Sequence, residues 1–159
     1  MITIDTVKSV GEAIKCNKLL TKLIHSESKY NENINKDYII ENWFENLYDN
    51  EYNKIFVAKD SENIVGYAYC KITWVENGPA KELEAVLDGI YVEESYRNQG
   101  IATKLLNVAK EWAINKNVKY LTINVLEKNE VALKLYYKSG FNDFEKCLRA
   151  TFSTQNHIQ

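Results

Sequence analysis

The chain has 159 residues, of which 45% are hydrophobic, 12% aromatic and 26% charged. This length is typical of one domain with its own core, so we expect residues 1–159 to form a single domain. The aromatic content and the formal net charge of −2 exclude an intrinsically disordered chain. Six glycines and one proline exclude collagen-like and low-complexity proteins.

Several sequence features bear on the compartment and the partners. No stretch approaches the ~20 consecutive apolar residues of a membrane helix, and Met1–Asp5 lacks the layout of a signal peptide. Cys16, Cys70 and Cys147 are odd in number and lie outside any metal-ligand spacing, so we expect reduced thiols and no metal. These features predict a cytoplasmic protein that does not bind a membrane. No dense basic run is present, so no nucleic-acid partner is expected.

The two parts of the chain carry opposite charge. Residues 1–96 hold ten Lys and Arg against seventeen Asp and Glu, a net charge of −7. Residues 97–159 hold ten against five, a net charge of +5. This asymmetry is consistent with one part facing a cation and the other an anion, or simply with solvated surfaces of unequal sign.

The first half predicts strands and two helices. Ile2–Val7 alternates apolar and polar residues, as a strand does. Ser9 and Glu12 have the spacing of a capping box and begin a helix. A second helix is predicted from about Lys36 to Tyr48. The residues that it would bury are Ile39, Ile40, Trp43, Phe44 and Leu47.

Three strands are predicted next. Lys54–Lys59 and Asn63–Val75 form a hairpin, and Glu84–Val92 forms a largely buried strand after the loop at Asn77–Pro79.

The second half alternates helices and strands. It predicts a helix over Gly100–Lys116, a strand over Lys119–Val125, a helix from Asn129 to Ser139, and one or two closing strands over Phe141–Phe152. The complete order is β-α-α-β-β-β-α-β-α-β-β, which predicts an α/β (α+β) fold with a mixed sheet between helices.

Residues 87–103 form a strand, a short polar turn and the start of an amphipathic helix. Free backbone N–H groups and the helix dipole make such a start an anion site. Gly100 would let a phosphate approach the backbone, and Thr103 could add a hydroxyl. A Walker loop and a dinucleotide fingerprint are both excluded, because the glycines that they require are missing.

Two motifs resemble those of the GCN5-related N-acetyltransferases, the GNAT superfamily. Arg97-Asn98-Gln99-Gly100-Ile101-Ala102 resembles the family's Arg/Gln-x-x-Gly-x-Gly/Ala signature. The run from Asn129 to Phe141 resembles its Asn-x-x-Ala-x-x-x-Tyr-x-x-x-Gly-Phe block. The resemblance implies a mixed, mostly antiparallel central sheet of about six to seven strands, flanked by helices on both faces.

The resemblance also implies acetyl transfer from acetyl-coenzyme A to an amine, without a metal. In the family, the pantetheine arm bonds to unpaired backbone groups of the strand before the signature, and the pyrophosphate sits on N–H groups of the turn. The implied cofactor-binding residues are Ile90, Tyr91, Val92, Arg97, Asn98, Gln99, Gly100, Ile101, Ala102, Thr103 and Asn129. Asn129 could equally cap a helix, or do both.

Tyr136 matches the family's general acid, which protonates the departing thiolate. A phenol of pKa ~10 can protonate a thiolate whose conjugate acid has a pKa of ~8.5. Ordinary core packing is the alternative for a tyrosine at this helical spacing. Tyr137 lies about 100° further round the helix and is interpreted as a packing residue.

Two strand carboxylates are candidates for the general base. Glu84 and Asp88 share strand parity with Ile90 and Val92, so all four are expected on one face. Either carboxylate could remove the amine's proton directly, act through water, attract a cationic amine, or be a solvated or hydrogen-bonded strand carboxylate. Asp88 also matches the position of an acid in many family members.

Acidic residues are concentrated in the second predicted helix and around the Glu84–Val92 strand, which fits a cationic amine on a small molecule or peptide. Specificity is expected to lie in Tyr30–Glu51 and Val75–Glu84. A non-catalytic acyl-coenzyme A binding or sensor module is the alternative function. A homodimer is left open.

Overall fold

A computed structural model describes residues 1–77 and 79–153. The five strands are β1 (Ile2–Thr6), β2 (Asn53–Asp60), β3 (Asn63–Asn77), β4 (Ala80–Val92) and β5 (Leu121–Ile123). The three α-helices are α1 (Val10–Glu27), α2 (Ile101–Asn115) and α3 (Glu130–Lys138). Short 3-10 turns lie at Phe44–Asn46 and Glu94–Tyr96.

The strands form one sheet in the order β1-β2-β3-β4-β5. Every neighbouring pair is antiparallel except β4 and β5, which run parallel because α2 connects them. The predicted mixed, mostly antiparallel sheet is therefore confirmed. It has five strands in the described residues, fewer than the six to seven expected.

Helices cover both faces of the sheet, as predicted. On what we call the α1 face, α1 and the 3-10 turn pack against side chains that include Tyr67 and Tyr91. On the α2 face, α2 packs against side chains that include Ala68, Leu87 and Val92. Each face therefore has its own apolar core, and the sheet separates the two.

The start of α1 follows from local sequence. The Oγ of Ser9 accepts a hydrogen bond from the backbone N–H of Glu12 at 3.2 Å, as an N-cap does. The Glu12 carboxylate accepts from the N–H of Lys8 at 2.8 Å, one residue earlier than a capping box predicts. The predicted cap is confirmed, with its reciprocal bond shifted by one position.

The predicted second helix is wrong. Residues 31–50 form turns and bends, with only the 3-10 turn at Phe44–Asn46, and Ile39 and Trp43 are 65% and 48% exposed. The cause is a tertiary anchor, the buried side chain of Asn17. Its Oδ1 accepts from the N–H of Phe44 at 3.0 Å, and its Nδ2 donates to Glu45 at 2.6 Å. A short isolated helix is marginal in water, so this anchor decides the local conformation.

The prediction of one or two closing strands over Phe141–Phe152 is also wrong. Residues 142–153 contain no strand and are exposed throughout.

We expect Phe44→Ala to lower the free energy of unfolding by about 3–5 kcal/mol, as truncation of a buried aromatic does. The Phe44 ring is fully buried, with its centroid 5.5 Å from that of Tyr67 and 5.3 Å from that of Tyr69. Trp43→Ala is the matched control and should cost under about 1 kcal/mol, because Trp43 is half exposed. Urea denaturation measures both, and equal losses would contradict this packing.

Candidate active site

The sheet opens at the end of β4. Parallel pairing between β4 and β5 covers only three residues and stops at Leu87 opposite Ile123. Strand β4 continues to Val92, and its pairing with β3 continues with it. The backbone of residues 88–92 therefore has no partner strand on the β5 side, which leaves a gap with free hydrogen-bonding groups.

A bulge at Asp88 marks the same point. Tyr69 pairs with Gly89 and Cys70 pairs with Leu87, so Asp88 is an extra residue in β4. Such a residue inverts the alternation of side chains along the strand.

The bulge changes the predicted faces. Ala85 and Leu87 before it, and Ile90 and Val92 after it, all lie on the α2 face. By alternation, Glu84 lies on the α1 face. The prediction that Glu84 shares a face with Ile90 and Val92 is therefore wrong, because the bulge between them inverts the alternation of side chains.

The two carboxylates differ in environment. Asp88 is about 40% exposed, with its Oδ1 3.6 Å from the Nζ of Lys71. Glu84 is half-buried, and burial raises the pKa of its carboxyl. Glu84 therefore holds a proton more readily than an ordinary glutamate does, which suits a group that accepts one from an amine.

The predicted anion turn follows β4 directly. Gly100 caps the start of α2 in the left-handed conformation, with φ of +74°, and no side chain caps the helix. Lys104 is the first residue whose N–H bonds back to Gly100, so the N–H groups of residues 101–103 precede the helical ladder. A β-carbon built on Gly100 would meet no atom within 4 Å. The turn therefore combines free donors with open space.

The side chains of the turn hold its shape. Arg97 donates through Nε to the carbonyl of Val92 at 2.9 Å, and its guanidinium lies 5.3 Å over the ring of Tyr91. Gln99 donates to the carbonyl of Ser95 at 3.4 Å. Because Arg97 and Gln99 brace the loop, the main chain is left as the principal source of donors to an anion. Asn98 has a φ of +61°.

The second motif lies on α3. The Oδ1 of Asn129 accepts from the N–H of Ala132 at 3.2 Å, so this residue is a helix cap. Tyr136 is buried in the α2-face core, with its ring 5.9 Å from that of Phe141. Tyr137 turns away from Tyr136, as expected. It is 48% exposed and donates to Asp143, so its interpretation as a packing residue is wrong.

Burial raises the pKa of Tyr136 to about 12, and the negative charge of Glu27 adds to the rise. Its phenol therefore keeps its proton throughout the neutral range. Sequence reasoning missed Glu27. It is the last residue of α1, and burial raises the pKa of its carboxyl. No sequence motif marks it, since only the packing of α1 on the sheet brings it near Tyr136.

Tyr67 is a second residue that sequence reasoning missed. Its side chain is fully buried, and its hydroxyl has no hydrogen-bond partner in the described structure. Burial raises its pKa well above the usual value, and the charges of Asp88 and Glu27 add to this. The hydroxyl oxygen lies 2.9 Å from where a β-carbon on Gly89 would stand. A donor without a partner thus lies against β4 beside the bulge.

A cleft of about 600 Å³ opens on the α1 face next to the turn. It runs between the C-terminal half of α1 and the end of β4. Its lining residues are Lys22, His25, Ser26, Tyr91, Glu93, Glu94 and Ser95. The acidic residues expected on a second helix do not form this cleft, because that helix is absent. In the cleft, Lys22 forms an ion pair with Glu93.

Other candidate sites are not seen in the described residues. Within ranges 1–77 and 79–153, no group of three or more His, Cys, Asp or Glu is placed to hold a metal ion. None of the helices described is both long and apolar enough to cross a membrane. The three cysteines are unpaired, and burial raises the pKa of Cys16 and Cys70 to about 12.

Comparison with known families agrees with this geometry. The model of the acetyltransferase (GNAT) family matches residues 19–141, which is most of the chain. The match includes α2, the turn before it, and α3. The chain belongs to the acetyltransferase (GNAT) family.

The individual relatives have low sequence identity to this chain. An uncharacterized N-acetyltransferase of Methanocaldococcus jannaschii is 28% identical over 65% of this chain and 45% of its own length. Aminoglycoside N(6')-acetyltransferase type 1 of Salmonella typhimurium is 26% identical over 58% of this chain and 65% of its own. The chain thus spans roughly half the length of these curated relatives.

A solved structure shares the fold. Aminoglycoside N-acetyltransferase AAC(6')-Iy, determined in complex with CoA, superposes with a TM-score of 0.72. The match covers 96% of this chain and all of the other, at 18% identity. The mixed sheet with helices on both faces is therefore common to the two proteins.

We expect Gly89→Ala to destabilise the protein by about 1–3 kcal/mol, since its β-carbon would overlap the Tyr67 hydroxyl. Tyr67→Phe alone should be neutral or stabilising, because it removes an unpartnered buried hydroxyl. In the double variant the cost of Gly89→Ala should fall by at least half. A double-mutant cycle of urea unfolding measures this coupling, and additive effects would show that the two groups do not touch.

Proposed function

We propose that this protein is an N-acetyltransferase that uses acetyl-coenzyme A and acetylates a primary amine of a small molecule or peptide. The proposal rests on the position of two backbone features that follow each other along the chain. The unpaired edge of β4 at residues 88–92 leads directly to the free N–H groups at the start of α2. An extended chain that ends in a diphosphate fits this sequence of donors.

The proposed cofactor-binding residues lie at the edge of β4 and in the turn before α2. The backbone of Ile90 and Val92, with Tyr91 between them, would bond the pantetheine arm as an added strand does. The N–H groups of residues 98–103 would receive the pyrophosphate, because that of Arg97 already donates to the carbonyl of Glu94. The open space at Gly100 lets the pyrophosphate approach. Asn129 keeps its capping role, so its contribution to the cofactor is limited to its free amide group.

The proposed reaction is direct transfer. The amine loses a proton, its nitrogen lone pair attacks the thioester carbonyl carbon, and the carbon–sulfur bond breaks to give an amide and a thiolate. Tyr136 donates its phenolic proton to that thiolate. Because burial holds the pKa of Tyr136 near 12, the acid is fully protonated at neutral pH. Holding amine and thioester together supplies up to ~7–11 kcal/mol of the acceleration.

The α1 face supplies the acceptor side. Asp88 begins the open stretch of β4, and Glu84 lies on the α1 face four residues earlier in the same strand. The charge of Glu27, at the end of α1, acts on Tyr67 and Tyr136. Their negative charge would attract a cationic amine. Glu84 is the better candidate for the proton acceptor, because burial raises its pKa, while Asp88 is paired with Lys71. One relative is an aminoglycoside N(6')-acetyltransferase, whose name gives an aminoglycoside as the acceptor.

We expect Tyr136→Phe to lower kcat at least tenfold, because the thiolate then leaves without a proton donor. The affinity for acetyl-coenzyme A should change little. Tyr137→Phe is the matched control on the same helix and should leave kcat unchanged, since Tyr137 faces solvent. Release of free thiol with a panel of amines measures both. An unchanged rate in Tyr136→Phe would rule out Tyr136 as the general acid. Absence of turnover with every amine would favour a non-catalytic acyl-coenzyme A binding module.

We expect Gly100→Ala to raise the Kd for acetyl-coenzyme A at least tenfold, because its β-carbon occupies the space proposed for the diphosphate. The substitution also strains a residue with positive φ by about 1–2 kcal/mol. Gly140→Ala is the matched control, since Gly140 has a φ of +89° and lies past the end of α3. Isothermal titration should show intact affinity in the control. Equal affinity in both variants would contradict the anion site.

A further inference from the structure

A second cleft lies along α1, beside the cleft of about 600 Å³ that we now call the larger cleft. It has a volume of about 210 Å³ and lies between α1 and Asn63 at the start of β3. Its lining includes Lys15, Lys18 and Lys22, so we call it the lysine cleft. Because Lys22 and Glu93 also line the larger cleft, the two clefts adjoin.

The lysine cleft holds positive charge that has no local counter-charge. Lys15, Lys18 and Lys22 recur at helical spacing, so they lie on one face of α1, and all three are exposed. Lys22 forms an ion pair with Glu93. Neither Lys15 nor Lys18 forms an ion pair with any of the described residues. Two ammonium groups therefore remain available to an anion.

This positive charge is confined to the cleft. Residues 1–96 have a net charge of −7, so the lysine cleft has the opposite sign to the part of the chain in which it lies. In the larger cleft, Lys22 and Glu93 pair with each other, while Glu94 has no ion-pair partner among the described residues. The charge along α1 thus changes from positive in the lysine cleft to negative in the larger cleft.

The size and the floor of the lysine cleft suit an extended peptide. Leu19 is 4% exposed and Ile64 is partly buried, and both pack in the α1-face core, so the floor is apolar. Lys15 and His25 are ten residues apart on α1, which corresponds to about 15 Å. At ~3.3 Å per residue, four to five residues of extended peptide cover this distance.

We propose that the lysine cleft is a carboxylate-binding subsite, and that the acceptor is a peptide with a free N-terminal amine and acidic side chains at its third to fifth positions. This inference rests on the proposed acetyl transfer and names the acceptor class. The peptide's ammonium group would lie towards the carboxylates near the gap, and its acidic side chains would pair with Lys15 and Lys18. Charge complementarity of this kind discriminates between acceptors, because it attracts one and repels another.

The same charges disfavour a nucleic acid in this groove. A nucleic-acid backbone carries a phosphate at every nucleotide, so a strand that contacts Lys15 and Lys18 would also approach Glu93 and Glu94. These carboxylates repel the following phosphates. A peptide avoids this repulsion, because its end nearest the gap is cationic.

The first experiment measures peptide binding by fluorescence anisotropy. Three peptides of eight residues, labelled at the C-terminus, carry glutamate, glutamine or lysine at positions three to five and are otherwise identical. The protein should bind the glutamate peptide at least tenfold more tightly than the glutamine peptide, and the lysine peptide most weakly. The preference should shrink between 50 and 500 mM salt, because salt screens exposed charges. Equal affinities for the glutamate and glutamine peptides, or tighter binding of a single-stranded oligonucleotide, would overturn the proposal.

The second experiment locates the subsite. The double variant Lys15→Gln and Lys18→Gln should reduce the preference for glutamate over glutamine to less than threefold. Lys15→Glu with Lys18→Glu should reverse it in favour of the lysine peptide. Lys81→Gln is the matched control, since Lys81 is also exposed but lies at the far end of β4 beside Glu76. Circular dichroism verifies that each variant is folded. A preference that survives both double variants would overturn the assignment to the lysine cleft.

Release of free thiol separates this inference from the proposed function. With acetyl-coenzyme A, the glutamate peptide should have the highest kcat/KM of the three peptides, mainly through a lower KM. Turnover of other amines but of no peptide would overturn the acceptor class and leave the acetyl transfer standing. Selective binding of the glutamate peptide without turnover of any amine would support the subsite and overturn the acetyl transfer.

Discussion

The structure depends on the mismatch in length between two adjacent parallel strands. Strand β4 has thirteen residues, whereas β5 has three, and their pairing stops where a bulge occupies β4. Backbone groups in a sheet are normally paired, so an unpaired stretch in the middle of a fold needs a partner from elsewhere. This opening leaves a groove along the edge of β4, where we propose that the cofactor binds.

Helix α2 and the turn before it complete the groove. The free N–H groups at a helix start favour an anion by about 0.3–1 kcal/mol through the dipole alone, more where water is excluded. Such a site works only if the turn is held rigidly, because donors that move lose the advantage of being oriented beforehand. Arg97 and Gln99 give that rigidity by bonding to nearby carbonyls. Arg97 and Gln99 thus stabilise the loop, and the main-chain N–H groups remain as donors to the proposed diphosphate.

The local sequence predicted most of the helices and their caps, but it failed at the bulge in β4 and around Phe44. The turn, α2, α3 and the caps at Ser9 and Asn129 were all predictable, since their signals lie within a few neighbouring residues. The bulge at Asp88 carries no local signal, and it inverted the predicted face of Glu84. The buried amide of Asn17 lies far along the chain from Phe44, so the helical periodicity around Phe44 gave no warning that tertiary bonds would replace it.

The sequence by itself determined the class of protein and the place of the proposed anion site, because both depend on short motifs whose chemistry is contained in consecutive residues. The tertiary structure alone decided which side chains surround the opening. Glu27 of α1 raises the pKa of Tyr136 and of Tyr67 in β3, and neither Glu27 nor Tyr67 belongs to a motif. It also decided that residues 142–153 form no strand, although their sequence pattern predicts one or two. The physical reason is the same in both cases: burial and pairing depend on residues distant in sequence, and only the folded chain brings them together.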